Sequence, residues 1–291
     1  MVGEVIKEAG RTRPSLARAL SGQAVWIRAG RSDSLGELGT GSSPRKERLL
    51  RMTRTQRTMV RDPNSNITEK QAVARASLRF VKDGQVVGLG TGSTAAYFIQ
   101  LLGEEVKKGL RIRGIPSSVR SREQAASLGI ALTTFEECPQ IDVNVDGADE
   151  FDPELRLIKG GGGALLREKI VASASRQFVV VADETKRVPV LGKFPLPVEV
   201  IKFAQALVKK KIEALGAQVD LRLDASGKPF LTDENNHILD CRFGQIADAD
   251  RLAQQLSDMP GVVEHGLFIG MANVVLVAKD GEVEELRAGK K

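Results

Sequence analysis

The sequence predicts an α/β fold: a Rossmann-like, largely parallel sheet with helices on both faces, accompanied by a smaller ferredoxin-like α+β domain. Three patterns point there. Strand-like and helix-like segments alternate from Gln85 through Val181, as they do when helical crossovers link parallel strands. The run Gln177-Phe-Val-Val-Val-Ala182 is apolar enough to be a buried strand of that sheet. After Pro195-Leu-Pro197 the order changes to β-α-β-β-α-β, the ferredoxin-like unit.

In chain order, residues 85–87 read as a strand, the glycine-rich stretch Gly88-Leu-Gly90-Thr91-Gly92-Ser93-Thr94 as a loop, and 95–106 as a helix. A second strand spans 110–115 and runs into Pro116-Ser117-Ser118. Ile141, Val143 and Val145 alternate with polar residues in a third strand, so Asp146 and Asp149 emerge where it ends. Open α/β sheets hold ligands at that edge. A helix is predicted over 164–175 and the buried strand over 177–182. The second unit comprises strands at 198–201, 218–223, 238–243 and 262–268, with helices at 204–215 and 248–257. Its polar segment 224–236 shows a turn and no evident chemistry. Residues 273–278 return as a final strand of the main sheet. The domains are thus expected at 63–196 plus 269–291 for the larger unit, which carries the chemistry, and 197–268 for the smaller.

Strand, glycine loop and helix start together make an anion cradle. Free amides at the helix N-terminus, the helix dipole and the hydroxyls of Thr91, Ser93 and Thr94 suit a phosphate without requiring a metal. The loop lacks the Gly-Lys-Ser/Thr of a nucleotide-triphosphate loop, and Ser93 stands where a dinucleotide fingerprint has its third glycine. The following strand ends without an acid for a ribose hydroxyl. A simple phosphate ester fits better than NAD or ATP.

Between Asp146 and Lys169 lie Asp146-Gly-Ala-Asp149-Glu150 and then Lys159-Gly-Gly-Gly-Gly163-Ala-Leu-Leu-Arg-Glu168-Lys169. Glycines let a backbone approach an anion or a reacting oxygen closely, so a base, a cation and exposed amides can converge here. Any one of these pieces alone is more commonly a glycine-rich turn flanked by solvated charges. A carboxylate such as Glu168 can move a proton between adjacent atoms of a bound substrate. Lys159 and the amides after it can meet the oxyanion that develops, while Asp146 and Asp149 can handle hydroxyl protons, one of them with a raised pKa if the two lie close.

In these three segments the chain resembles the type A ribose-5-phosphate isomerase family, whose Gly-Thr-Gly-Ser-Thr, Asp-Gly-Ala-Asp-Glu and Lys-Gly-Gly-Gly segments occur here in the same order and at similar spacing, over about residues 67–286. The resemblance implies reversible conversion of D-ribose 5-phosphate to D-ribulose 5-phosphate through an enediolate, in the non-oxidative pentose phosphate route, without a cofactor or metal. It implies that Thr91, Gly92, Ser93 and Thr94 bind the phosphate with Lys70 and Lys186. It further implies that Asp146, Gly147, Ala148 and Asp149, with Lys159, Gly160, Gly161 and Gly162, hold the sugar, and that Glu168 is the general base. A homodimer or homotetramer is implied as well. Gly163, where many members have alanine, and Leu166 before Arg167 depart from the family pattern without touching an implied role.

Other chemistries are thinly supported. His237 and His265 are isolated, and Cys138 and Cys241 show no metal-ligand spacing; two cysteines in 291 residues suggest a reducing compartment, hence a cytoplasmic protein. No apolar run approaches membrane-spanning length. A sugar-phosphate-sensing module would need a DNA-reading element, and no helix-turn-helix pattern is present. Residues 1–62 carry 13 Lys+Arg against 6 Asp+Glu, whereas 63–291 carry 30 against 31. The basic balance of the chain therefore belongs to the leader and does not imply nucleic-acid binding. That leader, rich in Arg, Gly and Ser, reads as disordered. An organellar transit peptide is disfavoured by its acidic residues, and Met52 or Met59 is a plausible alternative start.

Overall fold

The computed structural model describes residues 63–289, and the expectations for the leader lie outside them. The described part begins with α1 (Pro63–Ser77), β1 (Val86–Leu89), α2 (Ser93–Lys107), β2 (Arg113–Pro116) and α3 (Val119–Ser127). Next come β3 (Ile141–Gly147), the short strands β4 (Glu150–Phe151) and β5 (Leu157–Ile158), α4 (Leu165–Ser173) and β6 (Ser175–Asp183). The chain continues with β7 (Leu196–Val200), α5 (Gln205–Ala214), β8 (Gln218–Leu221), β9 (His237–Arg242), α6 (Ala249–Ser257) and β10 (Val262–His265). It closes with β11 (Leu267–Phe268), β12 (Val274–Lys279) and β13 (Glu282–Arg287).

The main sheet has six strands in the order β13-β12-β6-β3-β1-β2, and all pairs are parallel except β12 with β13. Alternation along β6 shows why it is sandwiched. Val179 and Val181 join a core with Phe98 and Leu102 of α2, while Phe178, Val180 and Ala182 face the other way, towards Phe151 and Phe268. Truncating a fully buried ring such as Phe178 to alanine costs about 3–5 kcal/mol. On the second face, α4 comes so near β1 that a Cβ at Gly88 would lie 2.8 Å from Val171.

The second sheet runs β10-β7-β9-β8 with every pair antiparallel. In the order of its own β-α-β-β-α-β run this is four-one-three-two, the ferredoxin-like arrangement. Its core packs Val198 and Val200 against Val208 and Ile212 of α5 and Leu252 and Leu256 of α6. No helix among the described residues is long and apolar enough to cross a membrane.

Three elements differ from the sequence expectation. The helix predicted over 164–175 stops at Ser173, because Ser175 pairs with Ile141 and opens β6. The strand predicted over 262–268 is two strands in different sheets, divided at Gly266. There the Gly266 N–H donates to Pro197 at 2.7 Å, and the Gly266 carbonyl accepts from the Lys159 N–H at 2.9 Å. A Cβ at Gly266 would stand 2.3 Å from the Lys159 carbonyl, so only glycine fits this crossing. Finally, β12 is not the last strand of the main sheet. Asp280 and Gly281, both at positive φ, turn the chain back into β13 as a hairpin.

Candidate active site

The carboxyl ends of β1, β3 and β6 converge at one edge of the main sheet. After β1 the chain passes Gly90, where a Cβ would lie 2.3 Å from the Asp146 Oδ1. Gly92, at φ +104, then stands as the N-cap of α2. Glycine at Gly90 thus brings the loop against the end of β3. The Thr91 N–H donates to Asp146 Oδ1 at 2.9 Å and the Gly147 N–H to the same oxygen at 2.7 Å. Asp146 itself is fully buried.

Its other oxygen lies 2.9 Å from the Lys159 ammonium. That ammonium is 3.1 Å from Glu168 Oε1 and donates to the Gly147 carbonyl at 2.6 Å. The Phe268 ring lies beneath it at 5.5 Å. Burial works against a charged lysine, but Asp146 and Glu168, with Asp149 further off, outweigh it and hold Lys159 above its ordinary pKa. Lys159 therefore stays cationic.

Glu168 stands in the first turn of α4, and its side chain is 6% exposed. While Oε1 faces Lys159, Oε2 is buried and has no hydrogen-bond partner among the described residues. Burial pushes the Glu168 carboxyl up to about 8; Lys159 opposes the rise, and Asp146 and Asp149 add to it. A carboxyl titrating near the working pH is matched to accepting and returning a proton.

Asp149 meets the glycine run. Its Oδ2 accepts from the Gly161 N–H at 2.7 Å, and a Cβ at Gly161 would come within 2.6 Å of its Oδ1. At the other end, Ser93 Oγ accepts from Lys70 Nζ at 2.9 Å. The Thr91 hydroxyl lies 2.8 Å from Ser117 Oγ and donates to Ser118 Oγ at 2.9 Å.

These groups border a cleft of about 140 Å³. From the glycine loop it is lined by Thr91, Gly92, Ser93 and Thr94; from the end of β3 by Gly147, Ala148 and Asp149; and from the next loop by Lys159, Gly160, Gly161 and Gly162. Lys70, Lys186 and Glu168 complete the sequence-predicted set, and only Asp146 stands behind the wall, reaching the cleft through Lys159. Val181, Ala182 and Asp183 line it too.

Several contributors escaped the sequence reading. Glu150 stands in the Asp146-Gly-Ala-Asp149-Glu150 motif without a role that the sequence assigns. Its two oxygens accept from the Gly192 N–H at 2.8 Å and the Phe194 N–H at 2.5 Å, fixing the loop whose Phe194 backs Gly161. Ser117 and Ser118 were visible only as a strand end. Arg222, whose guanidinium donates to the Gly160 and Gly161 carbonyls at 2.8 and 3.2 Å, left no signal, being 62 residues away from Gly160 in sequence.

A family model described as ribose 5-phosphate isomerase A (phosphoriboisomerase A) matches residues 113–282. The chain belongs to the ribose 5-phosphate isomerase A family. A ribose-5-phosphate isomerase A from Parvibaculum lavamentivorans is 51% identical over 226 residues, covering 76% of this chain and 98% of the relative. One from Rhodopseudomonas palustris is 55% identical over 225 residues, covering 75% and 97%. Among solved structures, ribose 5-phosphate isomerase A from Methanocaldococcus jannaschii superposes with a TM-score of 0.74 at 42% identity, covering 76% of this chain and 99% of that one. A D-ribose-5-phosphate isomerase in complex with phospho-erythronic acid gives a TM-score of 0.74 at 40% identity, covering 75% and 97%.

In this ribose 5-phosphate isomerase A family member, one end of the cleft gathers Lys70, the hydroxyls of Thr91, Ser93 and Thr94 and the N-terminus of α2. The other gathers a buried lysine between two carboxylates. A small molecule with an anionic tail and a reacting head matches that division.

Proposed function

We propose that this chain interconverts D-ribose 5-phosphate and D-ribulose 5-phosphate through an enediolate, as a step of the non-oxidative pentose phosphate route. The observation that carries the mechanism is Glu168: a buried carboxyl in the cleft wall with one oxygen on Lys159 and the other without a partner among the described residues.

In this reading the substrate phosphate sits at the start of α2, met by Thr91, Gly92, Ser93, Thr94, Lys70 and Lys186. Binding a group that does not react contributes energy for orienting carbons that do. Glu168 takes the proton from C2 and returns it to C1. The negative charge that develops on the sugar oxygens meets the Lys159 ammonium and the amides of Gly160, Gly161 and Gly162, fixed in advance in a site largely shielded from water. Asp146, with one oxygen on two amides and the other on Lys159, keeps that lysine charged and aimed. Asp149 borders the cleft with Gly147 and Ala148 and handles hydroxyl protons, including those of ring opening.

The related isomerase bound to phospho-erythronic acid supports this reading. That ligand joins a phosphate to a planar, anionic carboxylate, the shape and charge an enediolate acquires. The test is conversion of ribose 5-phosphate in deuterated water. Appearance of the ketose with solvent deuterium at C1 is expected, and failure of the folded protein to form any ketose would overturn the proposal.

A further inference from the structure

Resting on that reading of the cleft, we propose that Arg222 is a positioning residue for the isomerisation. From the four-stranded sheet it sets the orientation of the two peptide units between Gly160 and Gly162, and through them Asp149.

Arg222 follows β8 directly, and its side chain is 13% exposed. Nε donates to Asp240 Oδ2 at 2.9 Å and Nη2 pairs with Oδ1 of the same carboxylate. Two parallel bonds to one carboxylate fix the plane of a guanidinium as well as its position. The remaining Nη1 is thereby aimed at the glycine run, where it donates to the Gly160 carbonyl at 2.8 Å and the Gly161 carbonyl at 3.2 Å.

The peptide joining Gly160 to Gly161 is therefore held at both ends. Its carbonyl accepts from Arg222, while its N–H donates to Asp149 Oδ2 at 2.7 Å. A trans peptide is planar with C=O and N–H pointing opposite ways, so these two bonds select one of its two faces. Glycine makes the selection necessary. Gly160 is at φ +102, and without side chains the reversed peptide meets little steric resistance. Reversal would turn the Gly160 carbonyl towards the Asp149 carboxylate and deprive Asp149 of its donor.

The Gly163 N–H also donates to the Gly160 carbonyl, at 3.0 Å, closing the turn. Arg222 adds the bond to the Gly161 carbonyl that the turn lacks, and this directs the Gly162 N–H away from the guanidinium. Gly162 lines the cleft and Arg222 does not. Arg222 thus acts through the glycines, without touching substrate.

The test compares wild type, Arg222→Ala and Asp240→Asn in the full chain by steady-state conversion of ribose 5-phosphate, by thermal melting, and with millimolar guanidinium added well below the melting midpoint. A misoriented loop predicts a fall in kcat of about ten- to hundredfold, with KM changed far less. It also predicts partial recovery of Arg222→Ala, but no gain for wild type, on adding guanidinium. Asp240→Asn, which loosens the fork, gives a smaller loss in the same direction. Folded Arg222→Ala with wild-type kcat, or a loss that only tracks the melting midpoint and ignores guanidinium, overturns the proposal. If Arg222→Ala does not fold, an unchanged kcat in Asp240→Asn overturns it. An inactive wild type instead removes the isomerase reading, and the positioning role with it.

Discussion

Lys159 and Glu168 form a buried ion pair that uses only half of the glutamate: Oε1 lies 3.1 Å from the ammonium, and Oε2 has no partner among the described residues. The pairing restrains the carboxyl group without consuming its capacity to accept a proton. It also joins the group that would receive the proton to the charge that would meet the resulting oxyanion.

The first consequence is a pH dependence. Burial raises Glu168 from an ordinary 4.5 to about 8, against the pull of Lys159. As the proposed base, Glu168 must be ionised, so kcat/KM is expected to fall as pH drops below about 8 and to level off above it. A kcat/KM profile with its acid limb near the ordinary glutamate value contradicts this. Lys159→Met removes the group that favours the ionised form, so its limb moves to still higher pH.

Lys159→Met should also lower kcat by about 10²–10³, the usual effect of deleting one preorganised oxyanion partner. It leaves Asp146 buried without its cation, which costs about 3–5 kcal/mol of stability. Denaturant titration reads the second effect and single-turnover kinetics the first. Turnover close to wild type would remove Lys159 from the chemistry.

At Gly90 the prediction is steric. A Cβ there would stand 2.3 Å from Asp146 Oδ1 and 2.6 Å from its Cα, so either the loop or the end of β3 must shift. Gly90→Ala is expected to destabilise by about 1–3 kcal/mol and to lower kcat by displacing Asp146 from Lys159. A melting curve and rate matching wild type would show that the close approach is dispensable.

The phosphate end predicts a specificity. Free ribose lacks the group that the proposed function sets against Ser93, Thr94, Lys70 and Lys186, so it should lose turnover as well as affinity. Comparable kcat/KM for ribose and ribose 5-phosphate, measured side by side, would contradict the assignment of that end of the cleft.

Much of this was legible in the sequence where local pattern and tertiary role coincide. The alternation of Ile141, Val143 and Val145 located the strand that delivers Asp146, and the glycine loop before 95–106 located the start of α2. Asp146 was expected in the cleft and lies behind it, because depth relative to Lys159 is a property of packing. Gly266 looked like part of a single strand, since the need to pass beside Lys159 leaves no periodicity. The segment 224–236 shows a turn and no evident chemistry in the sequence, yet the Phe230 ring occupies the space a Cβ at Gly163 would take, and Asp233 and Glu234 pair with Arg167, next to Glu168 in sequence. Contacts between distant segments of this kind do not appear in a local pattern.

The most direct test is ribulose 5-phosphate formation from ribose 5-phosphate by wild type and Glu168→Gln, with folding of both checked by circular dichroism. Glutamine keeps the size of the side chain and removes the basic oxygen. The account predicts an active wild type and a loss of about 10³-fold or more in the variant. A folded Glu168→Gln that turns over like wild type would contradict it.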